Sequence, residues 1–354
     1  MSTVGPERSP PAGAGASGEA PIARPPTRAQ VVADALFRRL SQVFSALVLA
    51  VVAFIVLRIA FAAAPARRDH GLGFITGRVW VPNKGRYAIL PEIWGTLYTS
   101  VLALVLGAAF GVAAAIFLSE GFLAGAVYKL LAALGLALRP GWRRLPDTLE
   151  SLLKNLVNLL AAIPSVVYGL WGLFVVIPLI RPACNWLHLK MSWFPLFATD
   201  LAGPGVLPAV IVLSIMILPT ITAIGTDALV AVPPKLRMAA YGLGATRWET
   251  ILGVIVPTAS RGIFGGIVLA FGRALGETMA LAMLVGNANQ ISLSLFSPAN
   301  TLAALLANSF PEAGPKQVGV LMYAALVLLG ITLVVNVIGS ILLQRASAAV
   351  EGAR

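Results

Sequence analysis

The chain has 354 residues, of which 58% are hydrophobic and only 11% charged, with a mean hydropathy of +0.88. Soluble domains carry about a quarter charged residues, so a water-facing surface cannot be built from this composition and lipid must cover much of it. The net charge of +12 comes from 26 Lys and Arg dispersed over loops and tails; without a basic stripe or interleaved aromatics it argues against nucleic-acid binding.

Residues 1–35 are rich in Pro, Ala, Gly and Ser. They cannot bury enough apolar surface to fold alone, which predicts a disordered tail. The first apolar run begins only near Leu40, too late for a signal peptide. A GxGxxG match at Gly13, Gly15 and Gly18 has neither strand before it nor helix after it and reads as low-complexity chance. Six apolar runs follow, at about 40–64, 96–118, 156–180, 207–229, 263–285 and 318–343. Each is long enough to cross the hydrocarbon core as a helix. The runs are continuously apolar rather than alternating, which excludes a barrel. The fold class is therefore all-α, a polytopic membrane protein with a transmembrane domain over 36–348. A shorter stretch at 122–138 is interrupted by Lys129 and reads as interfacial or re-entrant. With six spans and both termini in the cytoplasm, Lys and Arg are about twice as frequent inside as outside. The first outer loop, with Arg67, Arg68, Arg78, Lys84 and Arg86, runs against that bias.

Metal and disulfide chemistry lack their parts. Cys184 is the single cysteine, and His70 and His188 are far apart and expected in loops. No P-loop, H-E-x-x-H or G-x-S-x-G occurs, so neither ATP hydrolysis nor common hydrolase chemistry is encoded here. The sequence points to no cofactor and no catalytic residue.

The fourth connection, about 230–262, carries the most information. Pro233-Pro234 ends the preceding helix. Lys235 to Leu243 can form a short helix that Gly242 and Gly244 terminate. A second helical stretch runs from Thr246 to Pro257. Such a helix either lies on the headgroups or docks a cytoplasmic partner. In the fifth run, Arg273 and Glu277 interrupt an apolar segment. Counted from Ile263, Arg273 lies ~15 Å deep, where ionisable groups are costly and face a bundle interior or a wet cavity. Their i, i+4 spacing predicts a pair. Two readings stay open: a structural ion pair, or an anion site in which Arg273 offers its fork while Glu277 competes. Gly262, Gly266, Gly272 and Gly276 favour close helix approach. Thr220, Thr222, Thr226 and Thr278 supply hydroxyls that line a path or bond their own helix. Pro164 and Pro219 fall within the third and fourth runs, where each can kink a helix.

The fourth connection resembles the coupling loop of bacterial ABC importer permeases, E-A-A, three residues, Gly, nine residues, I-x-L-P. Ala239, Ala240, Gly244 and Pro257 match, Met238 replaces the Glu, and Val254 and Val256 stand for the aliphatic pair. Three strings are similar to phosphate permeases: Ala161-Ala162-Ile163-Pro164-Ser165 onward to Gly172, Gly244-Ala245-Thr246-Arg247-Trp248, and Gly272-Arg273-Ala274-Leu275-Gly276-Glu277-Thr278-Met279-Ala280 with Gly286-Asn287. The Thr-Met-Ala and Gly-Asn endings favour the PstC-type subunit over its PstA-type partner. The tail and the segment 120–147 look unusual for the family. The resemblance implies a type I importer permease fold in a bacterial plasma membrane and a substrate path at Arg273, Glu277 and Thr278. It implies ATPase coupling at Ala239, Ala240, Gly244, Thr246 and Pro257. The implied partners are a second permease subunit, two cytoplasmic ATPase subunits and an extracytoplasmic phosphate-binding protein. Sulfate or molybdate as cargo, or a scaffold that transports nothing, are the rival expectations.

Overall fold

The computed structural model describes residues 27–134 and 145–351. Its contacts divide the chain into two units, residues 1–57 and 58–354. Apart from single helical turns such as Gly73–Thr76, the elements in chain order are α1 (Arg28–His70), α2 (Leu90–Ser119), α3 (Phe122–Ala133), α4 (Leu145–Ala162), α5 (Ser165–Met191), α6 (Val206–Val230), α7 (Pro234–Gly242), α8 (Arg247–Leu275), α9 (Met279–Leu284), α10 (Leu302–Ser309) and α11 (Pro315–Glu351). Among the described residues β structure is confined to two isolated bridges, Val81 with Arg86 and Gly286 with Ala299.

Six helices, α1, α2, α5, α6, α8 and α11, are long and apolar enough to cross a membrane. The shortest, α6, has 25 residues, about 37 Å at ~1.5 Å per residue, against a hydrocarbon core of about 30 Å. In the first unit, α1 exposes its large apolar side chains from Val31 to Leu57, as a lipid-facing helix does. In the second unit, Ala63 and Ala66 of α1 join a cluster with Phe74, Ile89, Leu302 and Tyr323.

The centre of the second unit is α6, the most enclosed of the spans. Val210, Leu213, Ile217 and Ile221 pack there against α2, α8 and α9. Small residues set the spacing. A Cβ on Gly107 of α2 would sit 2.7 Å from Ile217, and one on Gly262 of α8 would sit 2.4 Å from Ala228. Close backbone approach is how helices associate where lipid removes the hydrophobic driving force. Hydroxyls add to it: Thr222 Oγ1 donates to the Gly111 carbonyl of α2, 3.2 Å away.

Several boundaries differ from the expectation, each for a local reason. α1 begins at Arg28, so 28–35 is helical rather than tail; residues 1–26, including Gly13, Gly15 and Gly18, lie outside the described residues. The third run is broken: α4 ends at Ala162 and α5 starts at Ser165, because Pro164 caps a new helix rather than kinking one. Pro219, by contrast, sits inside continuous α6. The helix from Arg247 does not stop at Pro257. A π-turn over Ile251–Ile255 resets the hydrogen-bond register just before that proline, so its missing N–H is accommodated. Of the segment 122–138, Phe122–Ala133 is helical and 135–138 lie outside the described residues. The histidines are not in loops: His70 ends α1, and His188 lies in α5 with Nδ1 2.7 Å from the Phe197 carbonyl.

Candidate functional site

The substrate-path candidates gather where α8 ends. The helix stops at Leu275, so Arg273 falls in its last turn rather than midway along a run that begins at Ile263. A cation is favourable there, since the last carbonyls carry the negative end of the helix dipole. Residues 276–278 break the helix before α9 begins at Met279. In the break, Thr278 Oγ1 donates to the Gly276 carbonyl at 3.1 Å and Glu277 N donates to the Ala274 carbonyl at 3.4 Å.

The break removes the expected pairing, because i, i+4 spacing brings side chains together only on a continuous helix. Arg273 and Glu277 form no ion pair. Among the described residues the guanidinium makes one hydrogen bond, from Nη1 to Thr220 Oγ1, at a long 3.4 Å. It is exposed and faces a cavity of about 500 Å3 lined by Thr220, Leu269, Gly272, Arg273 and Asn336. A guanidinium carries five N–H donors in a planar fork, and most of these are unused. The arrangement suits an oxyanion, with a hydroxyl and an amide beside the charge.

Asn336 was not anticipated. Its signal was an isolated amide in the apolar run Val334-Val335-Asn336-Val337 of α11, a pattern that marks function in a membrane span. A Cβ on Gly272 would sit 3.1 Å from its Oδ1, so the glycine makes room for the amide. Thr226 is elsewhere, on a separate cavity of about 210 Å3 with Lys154, Asn158 and Asp227.

The docking candidates form one compact loop. Pro233 precedes α7, whose Ala240 is buried while Ala239 is exposed. Gly244 has φ +85, a left-handed conformation that reverses the chain after α7. Thr246 then caps α8 in a capping box with Glu249: its backbone N–H donates to Glu249 Oε2 at 2.7 Å, and its Oγ1 accepts from the Glu249 backbone N–H at 3.4 Å. Pro257 lies inside α8, away from the turn. The loop presents apolar side chains outward, with Met238 71%, Leu243 90% and Trp248 57% exposed. Among the described residues no three His, Cys, Asp or Glu side chains cluster as metal ligands.

Comparison with known proteins agrees with this architecture. The family model described as "Binding-protein-dependent transport system inner membrane component" matches residues 130–348. The chain is 36% identical over 321 residues to the "Phosphate transport system permease protein PstC" of Mesorhizobium japonicum, covering 89% of this chain and 91% of that protein. Against the protein of the same name from Pasteurella multocida the identity is 36% over 324 residues, covering 89% and 92%. The "Probable phosphate transport system permease protein PstC" of Methanocaldococcus jannaschii is 33% identical, covering 80% and 85%. Among solved structures, an inward-facing form of the MetNI methionine ABC transporter shares the fold with a TM-score of 0.50 at 17% identity, covering 73% of this chain and 95% of that one. By the family match and these long, one-third-identical alignments, the chain belongs to the inner-membrane components of binding-protein-dependent transport systems.

Proposed function

We propose that this chain is the PstC-type permease subunit of an ATP-driven phosphate importer, with its termini in the cytoplasm and its docking loop on that side. The observation that carries the reading is a guanidinium with unused donors, held at the end of a spanning helix on an open cavity. It occurs in a chain one-third identical to phosphate permeases over most of its length. Arg273 supplies the fork for two phosphate oxygens, with Thr220 and Asn336 as neutral partners. Glu277 and Thr278 occupy the break beyond it. The Glu277 carboxylate keeps the occupant transient, because passage requires release as well as capture. ATP is hydrolysed by two cytoplasmic ATPase subunits that dock on α7 and the turn at Gly244. A PstA-type permease completes the path, and an extracytoplasmic phosphate-binding protein delivers the anion.

The test is phosphate uptake by the complex reconstituted with those partners. Wild type should import phosphate only with ATP, and Arg273→Gln should cut import about a hundredfold while leaving assembly intact. Unchanged import by Arg273→Gln, or equal competition by sulfate and molybdate, would overturn the reading.

A further inference from the structure

The docking loop is continuous with α6 and α8, but its side chains grip a third helix. α2 ends at Ser119, and Gly121, with φ +62, turns the chain into α3. At that corner the Glu120 carboxylate, 5% exposed, receives Nη1 of Arg237 from α7 at 2.6 Å. The same guanidinium donates from Nη2 to the Leu229 carbonyl of α6 at 2.9 Å. From the other side of the turn, Arg247 Nη2 donates to the Glu120 carbonyl. Its guanidinium lies 4.0 Å over the ring of Phe122, which stacks on Trp248 at 5.2 Å. Both arms of the loop therefore hold the two-residue junction Glu120-Gly121 and the start of α3 by charge, hydrogen bond and ring contact.

α2 is a 30-residue helix with its only proline in the first turn, a rod of about 45 Å. Its far end is fastened as firmly. Trp94 Nε1 donates to the Ser292 carbonyl at 3.0 Å, and Tyr98 Oη to the Leu293 carbonyl at 2.7 Å. Thr96 Oγ1 accepts from Leu302 N at 2.9 Å. Gly95 meets Asn300 so closely that a Cβ would lie 1.9 Å from its carbonyl oxygen. These partners belong to the segment 286–302, which follows α9 and the break after Arg273.

We propose that α2 is a transmission rod, and that Glu120 is the positioning residue through which displacement of the docking loop reaches segment 286–302 at the opposite end. The inference rests on the permease reading. The rod bypasses the route through α8, which ends at Leu275 and is separated from α9 by residues 276–278.

The experiment uses the full reconstituted complex and reads phosphate imported per ATP hydrolysed, ATPase-subunit co-purification and basal ATPase. Glu120→Gln should retain assembly and basal hydrolysis while phosphate per ATP falls about tenfold, within the usual range of inter-site coupling. Glu120→Asp, which keeps the charge, should recover most of it. Tyr98→Phe, which removes one hydroxyl at the far end and leaves the clamp intact, should lower the ratio in the same direction. A wild-type ratio in both Glu120→Gln and Tyr98→Phe overturns the inference, as does a fall explained entirely by lost ATPase subunits. Failure of the wild-type complex to import phosphate would instead overturn the permease reading itself.

Discussion

Two arginines, 36 positions apart, sit in opposite circumstances. Arg237 is spent: its guanidinium is shared between the Glu120 carboxylate at 2.6 Å and the Leu229 carbonyl at 2.9 Å, with its side chain 23% exposed. Among the described residues Arg273 makes one hydrogen bond, a 3.4 Å contact to Thr220, and it opens onto a cavity. A cation whose donors are satisfied contributes to shape. One whose donors are left over on an open cavity adds little to the fold and is available to a ligand. The contrast separates the proposed docking end of the molecule from its candidate path, and substitutions can break it in four ways.

The largest effect is expected at Arg273. Replacement by Gln should cut phosphate import about a hundredfold, since charged hydrogen bonds are each worth about 1.5–3 kcal/mol. The unfolding temperature of the purified subunit should stay put. Arg273→Lys should restore little, because an ammonium keeps the charge and loses the fork; equal import by Lys and Arg would dissolve the contrast from one side. Arg237→Ala should behave in reverse. It leaves a buried carboxylate unpaired and should cost about 2–3 kcal/mol, the lower part of the range for broken buried pairs because one partner is partly exposed. Faster proteolysis of the docking loop would report it, and wild-type resistance would show the clamp to be ornamental. Gly244→Val places a branched side chain at φ +85 and should cost about 1–3 kcal/mol, read as reduced ATPase-subunit co-purification. Thr246→Ala removes half of a capping box and should cost about 1 kcal/mol, visible as fraying at the start of α8 in hydrogen exchange.

The six crossings were legible because continuous apolar runs of more than twenty residues admit one solution in lipid. Short-range chemistry was legible too: the proline stop before α7 and the glycine turn at 244 follow from backbone sterics. Misreadings arose where hydropathy is blind to backbone. The run from 263 to 285 is apolar apart from Arg273, Glu277 and Thr278, yet the helix begins at Arg247 and ends at Leu275, so a pair inferred from helical spacing does not form. The run from 156 to 180 conceals the break at Pro164 in the same way. Glu120 could not be found from sequence, since its partner is 117 residues distant and nothing local marks either as paired. Asn336 was findable as a lone amide among valines, but only the fold puts it beside Arg273.

The outward face of the docking loop has one more implication. With Met238 where the family pattern carries an acid, and Leu243 and Trp248 beside it, that face adds an apolar patch to a loop that also exposes Lys235, Arg247 and Glu249. Contact made through the patch gains from expelled water, so an ATPase proposed to seat there should keep in concentrated salt the part of its affinity that the apolar side chains supply. On the proposed reading, a subunit synthesised without its ATPase would show that apolar patch to water, which makes companion and solubility one problem.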